Sequence, residues 1–170
     1  MKIKLLLPLL FLTIFAFHSN AQEVGDIRLG GGLVYGTAIE ELGINIRGDY
    51  QFAELIKGGA DFTFFFAPEN FSFNTLNLNG FYLFDVEGFN PYALAGLNFT
   101  FYSASIPSFS GGGITIGGGN VTDTAVGLNL GGGADFPFSE NLAGFGEIKY
   151  VIGTYDGLAI TAGIKFLLGN

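Results

Sequence analysis

The stretch LGINIRGDYQF, residues 42–52, sets Leu42, Ile44, Ile46, Tyr50 and Phe52 on one parity and Asn45, Arg47, Asp49 and Gln51 on the other. A β-strand sends successive side chains to opposite faces, so a period of two means one apolar and one polar face. GLAITAGIKFL (157–167) repeats the pattern, with Leu158, Ile160, Ala162, Ile164 and Phe166 opposite Thr161, Gly163 and Lys165. DIRLGGGLVY (26–35) places Ile27, Leu29, Leu33 and Tyr35 opposite Asp26, Arg28, Gly30 and Gly32. Five further segments alternate less regularly, over 57–66, 74–84, 91–102, 123–136 and 144–152. No stretch of the remainder sustains a helical period. The pattern predicts an all-β chain of eight strands, each about ten residues long, the length a tilted strand needs to cross a bilayer.

The N-terminus reads as a secretion signal. Lys2 and Lys4 precede an apolar run from Leu5 to Phe17, and Ser19 and Ala21 supply the small residues required before a cleavage site. The run is too short to span a bilayer comfortably and Pro8 interrupts it. The expected leader is 1–21 and the expected mature domain is 22–170. That domain holds five basic residues against fifteen acidic ones, no cysteine and no histidine, because the single histidine is His18. Acidity on this scale excludes nucleic acid as a partner, since phosphates need Lys and Arg. Without cysteine an exported domain has no disulfide staples. Mean hydropathy is nevertheless positive and Phe alone counts 20. An apolar surface facing lipid resolves that contradiction.

Connections partition in the same sense. The odd links are 36–41, 67–73, 103–122 and 153–156, and they include the longest one, rich in Gly and Ser. The even links 53–56, 85–90 and 137–143 carry turn residues such as Asp85, Gly88, Asn90, Pro137 and Asn141. An outer-membrane barrel puts long loops outside and short turns in the periplasm.

Three segments carry a family resemblance: YQFAELIKGGADFTFFF (50–66), GFNPYALAGLNFTFY (88–102) and the closing GLAITAGIKFLLGN (157–170). On these the chain resembles the small eight-stranded outer-membrane β-barrels, the group of OmpA-type transmembrane domains, OmpX-like proteins and "porin family" barrels. The family's usual terminal aromatic is replaced by Phe166 followed by Leu, Leu, Gly and Asn. The resemblance implies an eight-stranded antiparallel up-and-down transmembrane barrel in the outer membrane of a Gram-negative bacterium.

Phasing the strands gives an inward set of Arg28, Arg47, Asp49, Asp61, Asp135, Glu147, Lys149 and Lys165, four positive and four negative. The fifth basic residue, Lys57, lies near a periplasmic turn and is left outside that set. Charges remote from water must be paired, so a balanced ionic network filling the lower lumen is expected. Asn45, Asn77, Asn129, Thr100 and Thr161 line the outer half. GGADF occurs at 58–62 and 132–136, setting Asp61 and Asp135 in the same phase near the same end. Neither motif is read as a metal site, because neither histidine nor cysteine accompanies it. Tyr35, Tyr50, Phe52, Phe66, Tyr82, Phe84, Phe136, Tyr150 and Phe166 are placed outward near strand ends, as aromatic girdles.

Catalysis is not expected, since a serine nucleophile or a general base of this type calls for histidine. The adjacent Glu40 and Glu41 are read as a solvated loop. FSGGGITIGGGN (109–120) lacks the basic residue and following helix of a phosphate cradle. It is read instead as the tip of the longest loop, with Ile114, Thr115 and Ile116 forming a short hairpin extension between flexible glycines. Phe109, Ile114, Thr115 and Ile116 are the candidate contact residues. The expected role is a non-enzymatic barrel with a side-chain-plugged lumen, structural or engaged in surface contact through 103–122. No cofactor is expected. Expected partners are membrane lipids including lipopolysaccharide, with an unidentified surface or host partner, and the barrel is expected to be a monomer. Two alternatives are a narrow conduit for ions or very small solutes and a soluble lipocalin-like carrier.

Overall fold

The structure, a computed structural model, describes residues 23–111 and 114–169. The expected leader lies outside the described residues, as do the side chains of 107 and 109–116. Eight strands follow one another: β1 Ile27–Gly36, β2 Glu41–Ala53, β3 Ile56–Phe65, β4 Phe71–Leu83, β5 Asn90–Gly111, β6 Ile114–Pro137, β7 Leu142–Ile152 and β8 Gly157–Gly169. Each pairs antiparallel with its sequence neighbours, and β1 pairs with β8 from Arg28↔Leu167 to Gly36↔Ala159, closing the barrel. Closure leaves the eight-stranded ladder no open edge within the wall.

The two faces are sorted opposite to those of a water-soluble domain. Among the described residues nineteen buried side chains are polar or charged and nine are apolar. Outward residues are apolar and bare, with Leu29 at 49% exposure, Ile46 at 55% and Ile148 at 53%. The expected outward aromatics, Tyr35, Tyr50, Phe52, Phe66, Tyr82, Phe84, Phe136, Tyr150 and Phe166, are all exposed. A soluble carrier would need its apolar side chains inside and its charges in water, so the lipocalin-like alternative has its faces reversed here.

The largest departure from the sequence reading lies at 103–122. Six of the strands run 10–13 residues, whereas β5 and β6 run 22 and 24. The segment expected as a loop with a short extension is a paired ribbon. Its ladder continues through Ala104↔Val121 and Ile106↔Gly119 to Phe109↔Ile116, Ser110↔Thr115 and Gly111↔Ile114. β4 follows β5 only as far as Ala104, and β7 meets β6 only from Leu128 onward. Beyond those points no other strand pairs with the ribbon, although the Ser105 N–H donates to the Asn70 carbonyl at 2.8 Å. The ladder skips Pro107, which has no N–H to offer, and resumes in the same register at Ser108↔Gly117. Gly117 and Gly118 have φ of 82° and 91°, which few other residues tolerate, so the second glycine triplet is needed by the backbone itself.

The ribbon marks one end of the barrel, the hairpin end. The other, the short-turn end, is closed by links at 54–55, 84–89 and 138–141.

Candidate functional site

Among the described residues, buried polar and charged side chains concentrate in the lumen. Alternation drives it: on β2, Gly43, Asn45, Arg47, Asp49 and Gln51 are all buried, while Leu42, Ile44, Ile46, Tyr50 and Phe52 are exposed. The same phase on β3 turns Lys57, Asp61 and Thr63 inward.

Near the short-turn end, four charges form a closed square. Asp135 receives Lys57 at 2.8 Å and Lys165 at 2.9 Å, and Asp49 lies 2.9 Å from Lys165 and 3.9 Å from Lys57. A second square lies nearer the hairpin end. The Arg47 guanidinium reaches both Glu147 oxygens at 3.0 Å and lies 3.8 Å from Asp61; Lys149 lies 3.2 Å from Asp61 and 3.9 Å from Glu147. Each square holds two positive and two negative groups and is neutral.

Aromatic rings separate them. Arg47 lies 4.4 Å from the centroid of the Phe145 ring, with Lys165 5.0 Å from that same ring. Lys57 sits 4.6 Å from the Tyr92 ring and 5.0 Å from Phe81, while the Tyr92 hydroxyl donates to Glu147 at 2.9 Å. Cations over ring faces gain attraction without needing water.

Above the second square lies a layer of amides. Asn45, Asn77 and Asn79 donate to Asp61 at 2.9, 2.8 and 3.1 Å. Asn98 and Asn129 donate in turn to the Asn77 carbonyl oxygen, and Thr100 donates to Asn98. These bonds satisfy carboxylate lone pairs that the ion pairs leave over, which buried charge requires.

Of the expected inward set, Arg47, Asp49, Asp61, Asp135, Glu147, Lys149 and Lys165 are brought together in the two squares. Arg28 is not. It lies half-buried at the short-turn end, 3.3 Å from Asp26, because β1 has only just begun there. Lys57, expected near a periplasmic turn and outside the inward set, takes its place. The turn before it spans only 54–55, so Lys57 is already inside the wall at 2% exposure. Its odd parity, shared with Asp61 and Thr63, was the available signal.

Asp61 and Asp135 also lie in different squares, correcting their placement near one end. What the two GGADF motifs share is an inward glycine. A Cβ on Gly59 would strike the Asp49 carboxylate, and one on Gly133 would come within 2.6 Å of the Tyr92 hydroxyl. The glycines make room for lumen polar groups.

At the hairpin end the lumen opens into a mouth. Tyr155, in the turn 153–156, packs edge-on against Phe73 at 5.5 Å and stacks on Tyr102 at 5.9 Å. Its hydroxyl donates to Asp123 at 3.0 Å; burial and this bond push the hydroxyl above the usual tyrosine range. Glu40 sits in the turn before β2 with φ of 57°, and Glu41 opens that strand. The backbones of Phe109, Ile114, Thr115 and Ile116 pair at the far end of the ribbon, and their side chains lie outside the described ones.

No family model matches the sequence, and no curated protein matches it. Solved structures do match. The N-terminal β-barrel domain of OprF from Pseudomonas aeruginosa superposes with a TM-score of 0.66 at 15% identity, over 86% of this chain and 100% of that one. Neisserial surface protein A gives 0.62 at 16%, over 85% and 97%. A de novo designed transmembrane β-barrel gives 0.60 at 17%, over 87% and 99%. At such identities the likeness is one of fold, and fold does not fix activity. This chain has the fold of the small eight-stranded outer-membrane β-barrels.

Proposed function

We propose that the protein is an integral outer-membrane barrel of a Gram-negative cell, exported by cleavage after Ala21, whose lumen is plugged and whose role is structural or contact-making rather than catalytic. The carrying observation is the pair of neutral squares, which fill the bore while an unbroken apolar wall faces outward. Eight strands leave space for side chains and little else. Reconstituted in a planar bilayer, the protein is expected to give no large, steady ohmic pores. Such pores would replace the plug with a channel.

One observation favours the second reading, a narrow conduit. Arg47 Nε and Nη1 and the side-chain oxygens of Asn45 and Asn129 are buried without a partner, and groups of this kind hold single waters. Small, salt-dependent conductance without large pores would support it.

Contact is assigned to the ribbon 103–122, which pairs with no other strand beyond Ala104 and before Leu128. All five Lys and Arg of the described residues lie in ion pairs, four in the lumen squares and Arg28 with Asp26 at the short-turn end. The hairpin end therefore carries Glu40, Glu41, Glu69, Asp123 and Asp156 with no basic residue among them. Lipopolysaccharide is met along the wall, through its acyl chains, because its phosphates find no cation here. A surface or host partner of this end is basic for the same reason. Deleting 109–119 tests the role: cells with the shortened barrel are expected to lose surface binding. A deletion that folds and leaves both binding and envelope permeability unchanged would remove the ribbon from consideration.

A further inference from the structure

Exposed aromatic side chains on the wall are explained by the outward parity of their strands. Phe71 is different. It opens β4 in the phase of buried Phe73, Thr75 and Asn77, yet it is 52% exposed. Stagger is the cause: β3 accompanies β4 only as far as Asn74, so Phe71 stands above the wall on the side of the barrel axis. That side is turned away from lipid, and the hydrophobic effect disfavours a ring left bare in water there.

Phe71 belongs to a row. Its ring lies 6.4 Å from that of Tyr102, which stacks on Tyr155 at 5.9 Å. Rings from β4, β5 and the turn 153–156 thus follow one another across the hairpin end. Carboxylates flank them. Exposed Glu69 lies two residues before Phe71, and exposed Asp123 stands directly opposite Tyr102 in the β5–β6 ladder. The Tyr155 hydroxyl occupies one oxygen of Asp123, Oδ2, and a carboxylate has room for further donors.

Aromatic faces with carboxylates beside them suit a cation, which a ring attracts within about 6 Å of its centroid. The chain supplies none here, because its own Lys and Arg are held in ion pairs in the lumen and at the short-turn end. Shape narrows the class. A guanidinium is planar, stacks on a ring and reaches a neighbouring carboxylate with its fork of donors, whereas an ammonium is a compact, strongly hydrated point charge. We propose that the row of Phe71, Tyr102 and Tyr155 receives an arginine side chain of a partner protein, its guanidinium against the rings and its donors on the flanking carboxylates. Buried arginine anchors of this kind carry much of the energy of protein interfaces. The site rests on the basic partner proposed for the hairpin end and gives that partner its anchor. Residues 109–119 contribute nothing to the row, so deleting them tests the ribbon and leaves this site to its own test.

The test uses protein in lipid nanodiscs with carbon-13-labelled Phe and Tyr rings. It is titrated at constant ionic strength with N-acetylarginine amide and, separately, with the matching lysine and citrulline amides. Saturable shifts of the Phe71 and Tyr102 rings are expected with arginine, weaker ones with lysine, and none with citrulline, which is planar but uncharged. Outward Phe52 and Tyr82 report nonspecific effects. Phe71→Leu keeps an apolar side chain at an exposed position and removes the ring. Followed at Tyr102, it is expected to weaken arginine binding about two- to fivefold. Asp123→Asn keeps an oxygen for the Tyr155 hydroxyl, removes the charge and is expected to weaken binding similarly. Absence of a saturable shift with arginine would overturn the site. Equal binding of lysine would assign the attraction to the acidic end without the rings, and equal binding of citrulline would remove charge from the account. Unchanged affinity in Phe71→Leu, with its heat-shifted gel band intact, would also overturn it.

Discussion

Asp135 is wholly enclosed, and each of its two oxygens meets a lysine, Oδ1 with Lys165 and Oδ2 with Lys57. Removing one member of a buried ionic group leaves uncompensated charge, which costs more than the intact pairing gains. Asp135→Ala is expected to destabilise the barrel by about 3–5 kcal/mol, read by urea unfolding in lipid vesicles. Lys57→Met combined with Asp135→Leu is expected to recover most of that loss, because Lys165 keeps Asp49 at 2.9 Å. Gly133 makes a complementary case of space rather than charge. Gly133→Ala forces a methyl against the Tyr92 hydroxyl and the Gly146 carbonyl, and is expected to cost about 1–3 kcal/mol by overpacking. Outward Gly80, where an added methyl would come no nearer than 3.8 Å to a neighbour, serves as the control. Parity alone predicts that Asp135, Arg47 and Lys165 face inward. Which charge meets which was not legible, because partners such as Arg47 and Glu147 lie 100 residues apart and touch only across the closed bore.

At the scale of elements, the far part of the β5–β6 ribbon pairs only with itself. Deleting 109–119 removes pairing made only within the ribbon, since β4 stops at Ala104 and β7 begins at Leu128. The shortened protein is therefore expected to unfold at the same urea concentration as the intact one, with a heat-shifted gel band intact. A clear loss of stability would show that the ribbon braces the wall. Composition misleads in this segment. Glycine and serine read as loop because they give weak strand preference, but the ladder from Leu97↔Leu128 outward supplies cross-strand bonds that override it. The expected hairpin around Ile114–Ile116 was the tip of a ribbon whose length only the pairing reveals.

For the molecule as a whole, the arrangement of faces decides the solvent. Ile46 lies at mid-strand on the outer wall with 55% exposure. In a bilayer, Ile46→Arg is expected to cost about 2–4 kcal/mol, measured by unfolding from vesicles, because it places charge in hydrocarbon. On a water-facing surface the same change would fall within about 0.5 kcal/mol. A near-zero result in vesicles would remove the membrane assignment. The planar-bilayer recording belongs at this scale too, since conduction depends on both squares remaining closed.

LGINIRGDYQF and its counterparts carried the fold unaided: a period of two in eight segments determines strands, and which side chains share a face follows from geometry local to each strand. They also determined that charge lies within and that the strand-end aromatics Tyr35, Tyr50, Phe52, Phe66, Tyr82, Phe84, Phe136, Tyr150 and Phe166 lie without. Closure of the barrel decided the rest. It set Lys57 rather than Arg28 in the square with Asp49, Asp135 and Lys165, and split the two GGADF aspartates between separate squares. Those outcomes depend on register and stagger around a closed wall, and register is a relation between strands that no single segment contains.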